Sequence, residues 1–129
     1  MALEVGLQAA LVHEISEDDT ATAMGSGDVD VLATPRLIAL AEAACVAALG
    51  DADLAKATTT VGTRIEFDHV IPLPVGDAVV VSARLVAVDA RALRFEVVAT
   101  DDGDRVIGRG FFGRMLVDRS RFLARTQDR

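Results

Sequence analysis

Apolar and polar residues change their spacing along this chain, and each change marks an element. From Leu37 to Leu49 the only ionisable side chains are Glu42 and Cys45, with Thr34-Pro35-Arg36 before the run and Gly50 after it. Threonine caps helix N-termini, proline is favoured in the first turn, and glycine is the usual residue just past the end. The spacing therefore predicts one helix ending at Gly50, and a helix with no polar face must be buried all round. Downstream the period falls to two. Between Thr59 and His69, Val61, Thr63, Ile65 and Phe67 form one face, with Arg64, Glu66 and Asp68 opposite. Val79, Val81, Ala83, Leu85 and Ala87 make the inner face of a second strand, and Leu93, Phe95, Val97 and Ala99 that of a third.

The links Asp89-Ala90-Arg91 and Asp101-Asp102-Gly103-Asp104 are turn-forming, so these strands are expected to pair as antiparallel hairpins. In the last run, Arg105 to Val117, three glycines (Gly108, Gly110 and Gly113) blur the alternation and indicate a bulge or a close backbone approach, leaving the register unassigned. Upstream, Leu3, Val5 and Leu7 read as a further strand, Ser16 to Asp19 as a capped turn, and Gly25 to Leu32 as a loop leading into the helix. One buried helix followed by a four-stranded antiparallel meander is an α+β arrangement, an antiparallel sheet wrapped around one long central helix: the hotdog fold. One sheet cannot seal the whole helix and its edge strands stay open, so a homodimer or higher homo-oligomer is expected.

At 129 residues the chain is read as one domain, 1–129. The formal charge of −7 and the scarcity of aromatics argue against nucleic acid and anionic membranes as partners. The longest apolar stretch falls short of the ~20 residues of a membrane-spanning helix. The first residues lack a secretory signal and Cys45 is the single cysteine, so a cytoplasmic location is expected. There is no Walker loop, no Gly-x-Ser-x-Gly elbow and no His/Cys cluster at zinc spacing, so neither metal nor cofactor is expected.

Three residues carry candidate chemistry. Glu42 is a carboxylate in an otherwise apolar helix, a placement that costs desolvation unless it has a partner or a purpose. The plain alternative is a structural ion pair with an arginine. His69 shares the parity of Ile65 and Phe67 and so points towards the helix that carries Glu42, as either a reacting group or a core histidine. Thr34 reads as an ordinary cap, placed where free helix N–H groups can hold an oxyanion. Thr34 and Glu42 lie eight residues apart, about 12 Å along a helix. Either a substrate spans that distance or two subunits share each site. Cys45 has no adjacent base and reads as packing, and His13 as a surface residue.

The segments Val31-Leu32-Ala33-Thr34-Pro35, Ala41-Glu42-Ala43-Ala44, Val61-Gly62-Thr63, His69 with Pro72, Pro74 and Gly76, and Gly108-x-Gly110 together resemble the fluoroacetyl-CoA thioesterase branch of hotdog proteins, over roughly Thr20 to Phe122. That resemblance implies hydrolysis of an acyl-CoA thioester, with Thr34, Glu42 and His69 as the catalytic set. Glu42 would activate water or attack the carbonyl, His69 would orient and polarise the reacting group, and Thr34 would position the thioester. It also implies a backbone approach to substrate at Gly76, whose alternative is the turn residue of Pro74-Val75-Gly76-Asp77. The loop Gly25-Ser26-Gly27-Asp28-Val29-Asp30 carries no aromatic lid, so the expected substrate is a small or medium acyl-CoA rather than fluoroacetyl-CoA alone. A non-catalytic module binding an acyl-thioester is the rival reading. A hydratase ranks lower, because Asp68 adjoins His69 and points the other way.

Overall fold

The computed structural model describes residues 3–50 and 52–127. The sheet contains β1 (Gln8–Glu14), β2 (Thr58–His69), β3 (Ala78–Asp89), β4 (Ala92–Thr100) and β5 (Val106–Asp118), all antiparallel in the order β1-β3-β4-β5-β2. The helices are α1 (Ala21–Met24), α2 (Thr34–Ala48) and α3 (Arg119–Ala124). The expected α+β arrangement is present, with α2 as the long helix packed on the sheet.

Strands β3 and β4 alternate as expected: Val79, Val81, Ala83 and Leu85 face Leu93, Phe95, Val97 and Ala99 in one buried cluster that also takes Leu37, Leu40, Ala41, Ala44 and Cys45 from α2. The two turns close hairpins β3–β4 and β4–β5. Two expectations fail. Leu3 to Leu7 precede β1 rather than forming a strand. The four strands after the helix are also not a simple meander, because β2 pairs with β5 and not with β3. The segment between β2 and β3 instead crosses below the loop before α2, where Leu32 N–H donates to Leu73 O and Val31 bridges Pro74. This leaves β1 and β2 as the sheet edges.

The bulge at Thr63 corrects the parity read for β2. Gly62 pairs with Arg114 and Arg64 with Gly113, leaving Thr63 unpaired. Ahead of the bulge, therefore, Thr60 and Gly62 face the helix instead of Val61 and Thr63; beyond it, Ile65, Phe67 and His69 do so as expected. The glycines of β5 serve close approach. A Cβ on Gly108 would come within 2.9 Å of the Phe67 ring. Without it, Phe67 packs edge-on against Phe112 at 5.8 Å.

Helix α2 is not buried all round. Pro35, Ala39, Ala43 and Val46 form an exposed stripe at helical spacing, with Val46 51% exposed, and across from it Ile65 is 44% exposed. The sheet covers the other side of the helix only, so one chain leaves an apolar face that its composition would bury.

Candidate active site

Two groups of polar side chains sit at opposite ends of α2. At the N-terminal end, Ala33 holds the cap position and Thr34 is the first helical residue, so Thr34 does not cap the helix as expected. Its hydroxyl lies 2.9 Å from Nδ1 of His69 at the end of β2. That contact fixes the imidazole ring, and Nε2 is buried without a hydrogen-bond partner. Burial holds the imidazole pKa below its usual value, against a smaller opposing influence from the Ile71 backbone. Pro35 brings no N–H, and Leu37 N–H is the first to bond back to Ala33. A pocket of about 320 Å³ opens over this pair, walled by Gly27, Val29 and Val31 on one side and Val70 and Pro72 on the other. Its lining contains no Phe, Tyr or Trp.

This end of α2 is tied down by Asp19. Its carboxylate accepts from Arg36 Nε at 2.8 Å, lies 2.7 Å from His13 Nε2, and accepts the Ser16 N–H at 2.8 Å, while its carbonyl accepts the Ala33 N–H. Burial raises the Asp19 pKa, but these hydrogen bonds outweigh it and hold the group well below the usual carboxylate range. Ser16 and Asp19 form a capping box as read from sequence; His13 is half-buried in this network, not a surface residue.

Two turns further along α2, Glu42 Oε2 accepts from Arg114 Nη1 at 3.1 Å. Arg114 in turn donates Nε to the Thr60 hydroxyl at 3.0 Å and Nη2 to the Thr60 carbonyl at 3.1 Å. The arginine side chain is 9% exposed and the glutamate 37%, so the guanidinium is locked while the carboxylate reaches open space. Gly62 sits directly beneath the carboxylate, and any Cβ there would run into Glu42 Oε2. Nearby Cys45 is fully buried and its thiol pKa is pushed up to about 12, chiefly by that burial, so it stays protonated and packs.

The structure therefore brings Thr34 and His69 together but does not bring His69 to Glu42 within one chain. The imidazole meets the helix at its first turn, and the acid meets Arg114 instead. Gly76 joins neither group. It has φ of +96° in the turn before β3, and its N–H donates to the Ile15 carbonyl. Arg114 and Gly62 were missed as site residues. A lone arginine between Phe112 and Leu116 was a signal of the same kind as Glu42, but the unassigned register of β5 hid which way it pointed. Among the described residues no group of three or more His, Cys, Asp or Glu is placed to hold a metal ion.

Residues 15–120 match the model of a family described as FlK, fluoroacetyl-CoA-specific thioesterase. The solved fluoroacetyl-CoA thioesterase FlK superposes with a TM-score of 0.91 at 27% identity, covering 100% of this chain and 98% of that one. A variant of FlK in complex with acetyl-CoA superposes at 0.88 with 26% identity, covering 98% of each chain. A hot-dog-like protein from Thermanaerovibrio acidaminovorans superposes at 0.86 with 21% identity over 96% of this chain and 90% of that one, which supports the hotdog fold. Among curated proteins none matches the chain.

Proposed function

The chain belongs to the fluoroacetyl-CoA-specific thioesterase family and is an acyl-CoA thioester hydrolase, and from that premise we propose that Glu42, His69 and Thr34 carry its reaction at a site shared by two copies of the chain. The observation behind this reading is the division of polar groups along α2, about 12 Å apart at 1.5 Å per residue. Each group is half a site. Thr34 and His69 offer a fixed imidazole with a free nitrogen. Glu42 offers a carboxylate with one oxygen held by Arg114 and the other unengaged.

A two-fold pairing of edge strands resolves the separation. Strand β2 is an edge, and its inward Ile65 is exposed opposite the apolar stripe of α2. In an isologous interface residue i meets j and j meets i. An antiparallel β2–β2′ contact about an axis through the Glu66 pair sets His69 of one protomer against the Thr63 bulge of the other, next to Gly62 and therefore close to that protomer's Glu42. Such a dimer also covers the open edge and the bare face of α2.

In this composite site the free oxygen of Glu42 removes a proton from water or attacks the thioester carbonyl carbon. Arg114, itself held by Thr60, keeps the carboxylate aimed. Negative charge then builds on the carbonyl oxygen, and donors at the start of α2 together with the neutral His69 ring face it. Departure of the CoA thiolate and hydrolysis release the free acid. The pocket over Thr34 and His69 has room for a small or medium acyl group and no wall of Phe, Tyr or Trp to select fluorine, so the substrate range extends beyond fluoroacetyl-CoA. A cytoplasmic setting fits a CoA substrate and a lone cysteine.

Thiol release from acetyl-, longer-chain and fluoroacetyl-CoA by the unmodified protein and by Glu42→Gln tests the reading. Loss of about 10³-fold in kcat with circular dichroism unchanged is expected for a base or nucleophile. Turnover within about tenfold of the unmodified protein would remove Glu42 from the chemistry. Turnover of fluoroacetyl-CoA alone would overturn the broad substrate range.

A further inference from the structure

Strands β2 and β5 continue past Arg114 to the register pair Thr58 and Asp118, and there a pocket of about 420 Å³ opens against α3. Its floor is apolar, built from Leu116, Val117 and Phe122. Its rim carries three guanidinium groups: Arg91 from the β3–β4 turn, and Arg121 and Arg125 from the C-terminal helical segment. None of the three has a carboxylate partner among the described residues. Asp118, also in the lining, is committed as the cap of α3, its Oδ1 accepting the Arg121 N–H at 2.9 Å. Arg125 lies 6.0 Å from the Phe122 ring centroid, so a flat aromatic face sits beside a cation.

Three arginines against one carboxylate around a single cavity are unexpected in a chain of net charge −7. A bound polyanion can engage all three. We propose that this pocket takes the 3′-phosphoadenosine diphosphate end of the CoA substrate, the arginines on its phosphates and Phe122 against its base. The inference rests on the thioesterase reading above. Position favours a tethered nucleotide over a free one. Leu116 is the register partner of Thr60, the residue that holds Arg114, so the pocket begins two residues along the strand from the guanidinium that grips Glu42, about 7 Å at 3.3 Å per residue. The pantetheine arm of CoA, longer than that offset when extended, is the part that links thioester to phosphates, so the thioester can lie at Glu42 with the phosphates inside the pocket.

The test compares the unmodified protein with an Arg91→Gln/Arg121→Gln/Arg125→Gln variant on two substrates bearing the same acyl group, acyl-CoA and acyl-pantetheine, the latter lacking the nucleotide. A rise in KM for acyl-CoA of about tenfold or more is expected, the loss that follows when charge-assisted phosphate contacts are removed. The kcat on acyl-CoA and kcat/KM on acyl-pantetheine should hold. 3′-Phosphoadenosine 5′-diphosphate should compete with acyl-CoA and bind the unmodified protein, but not the variant, in calorimetry. An unchanged KM for acyl-CoA, equal losses on both substrates, or non-competitive inhibition by the nucleotide would overturn the assignment. If the unmodified protein cleaves neither substrate, it is the thioesterase reading that fails. The calorimetry still decides the pocket: nucleotide binding lost in the variant supports it, and no binding to the unmodified protein refutes it. All three arginines are exposed, and the nucleotide measurement on the unmodified protein stands whatever the variant does.

Discussion

The two halves of the sheet meet the same helix differently. Under β1, β3 and β4 the contact with α2 is closed and apolar: Val79, Val81, Leu85, Phe95 and Val97 are fully buried. Where the end of β5 pairs with β2 it is open, and there Glu42, Arg114 and Thr60 stand in place of apolar packing, although Ile107 and Phe112 of β5 remain in the core. An ion pair at a partly open site gains little stability once desolvation is counted, so the open half contributes less to holding the fold. What it contributes is an aimed carboxylate next to an unpaired strand edge. The closed half supplies most of the packed core, and on the proposed reading the open half is where a substrate and a second copy meet.

Breaking that contrast from the closed side gives the largest effect on stability. Phe95→Ala is expected to lower unfolding free energy by about 4 kcal/mol, as truncating a buried aromatic does, measured by urea titration. Ile65→Ala, in the open half, should leave unfolding of the dilute protein within about 1 kcal/mol of the original and weaken self-association in sedimentation instead. A loss at Ile65 as large as at Phe95 would mean the halves do not differ.

The open half is sharpened at Gly62. Gly62→Ala pushes a methyl group into the Glu42 carboxylate and should cut kcat by about tenfold or more with the melting temperature nearly unchanged, because misplacing a reacting group costs rate rather than fold. The smallest effect is in pH. Burial lowers the His69 pKa, so the ring is neutral at neutral pH and gains a proton only below the usual imidazole range. If the neutral ring is required, the acid limb of kcat/KM lies below that range, and a limb at or above it would show that His69 is not the group titrating.

The same contrast governs what could be seen in the sequence. The closed half was legible because β3 and β4 alternate strictly over most of their length and α2 is bracketed by Pro35 in its first turn and Gly50 just past its end, even though Ala33 and not Thr34 takes the cap position. Glu42 stood out as a charge without a polar face. The open half was harder, since its geometry depends on local irregularities. The bulge at Thr63 exchanged the faces of β2 between Gly62 and Arg64, and the glycines of β5 concealed the direction of Arg114. Pairing of β2 with β5 instead of β3 is set by the crossing chain near Leu73, a long-range contact with no local signature. The Thr34–His69 bond followed from parity in direction but not in partner.

Whether each site is assembled from two chains is tested most directly by mixing two inactive variants. Glu42→Gln and His69→Ala proteins, co-expressed in equal amounts or exchanged under mild denaturant, form mixed dimers in which one site combines the intact His69 end of one protomer with the intact Glu42 end of the other. Thiol release should then recover to about a quarter of the unmodified activity, the share of intact sites in a statistical mixture of two-fold dimers. If the mixed dimers form and remain as inactive as either variant alone, the halves belong to the same chain and the shared site is wrong.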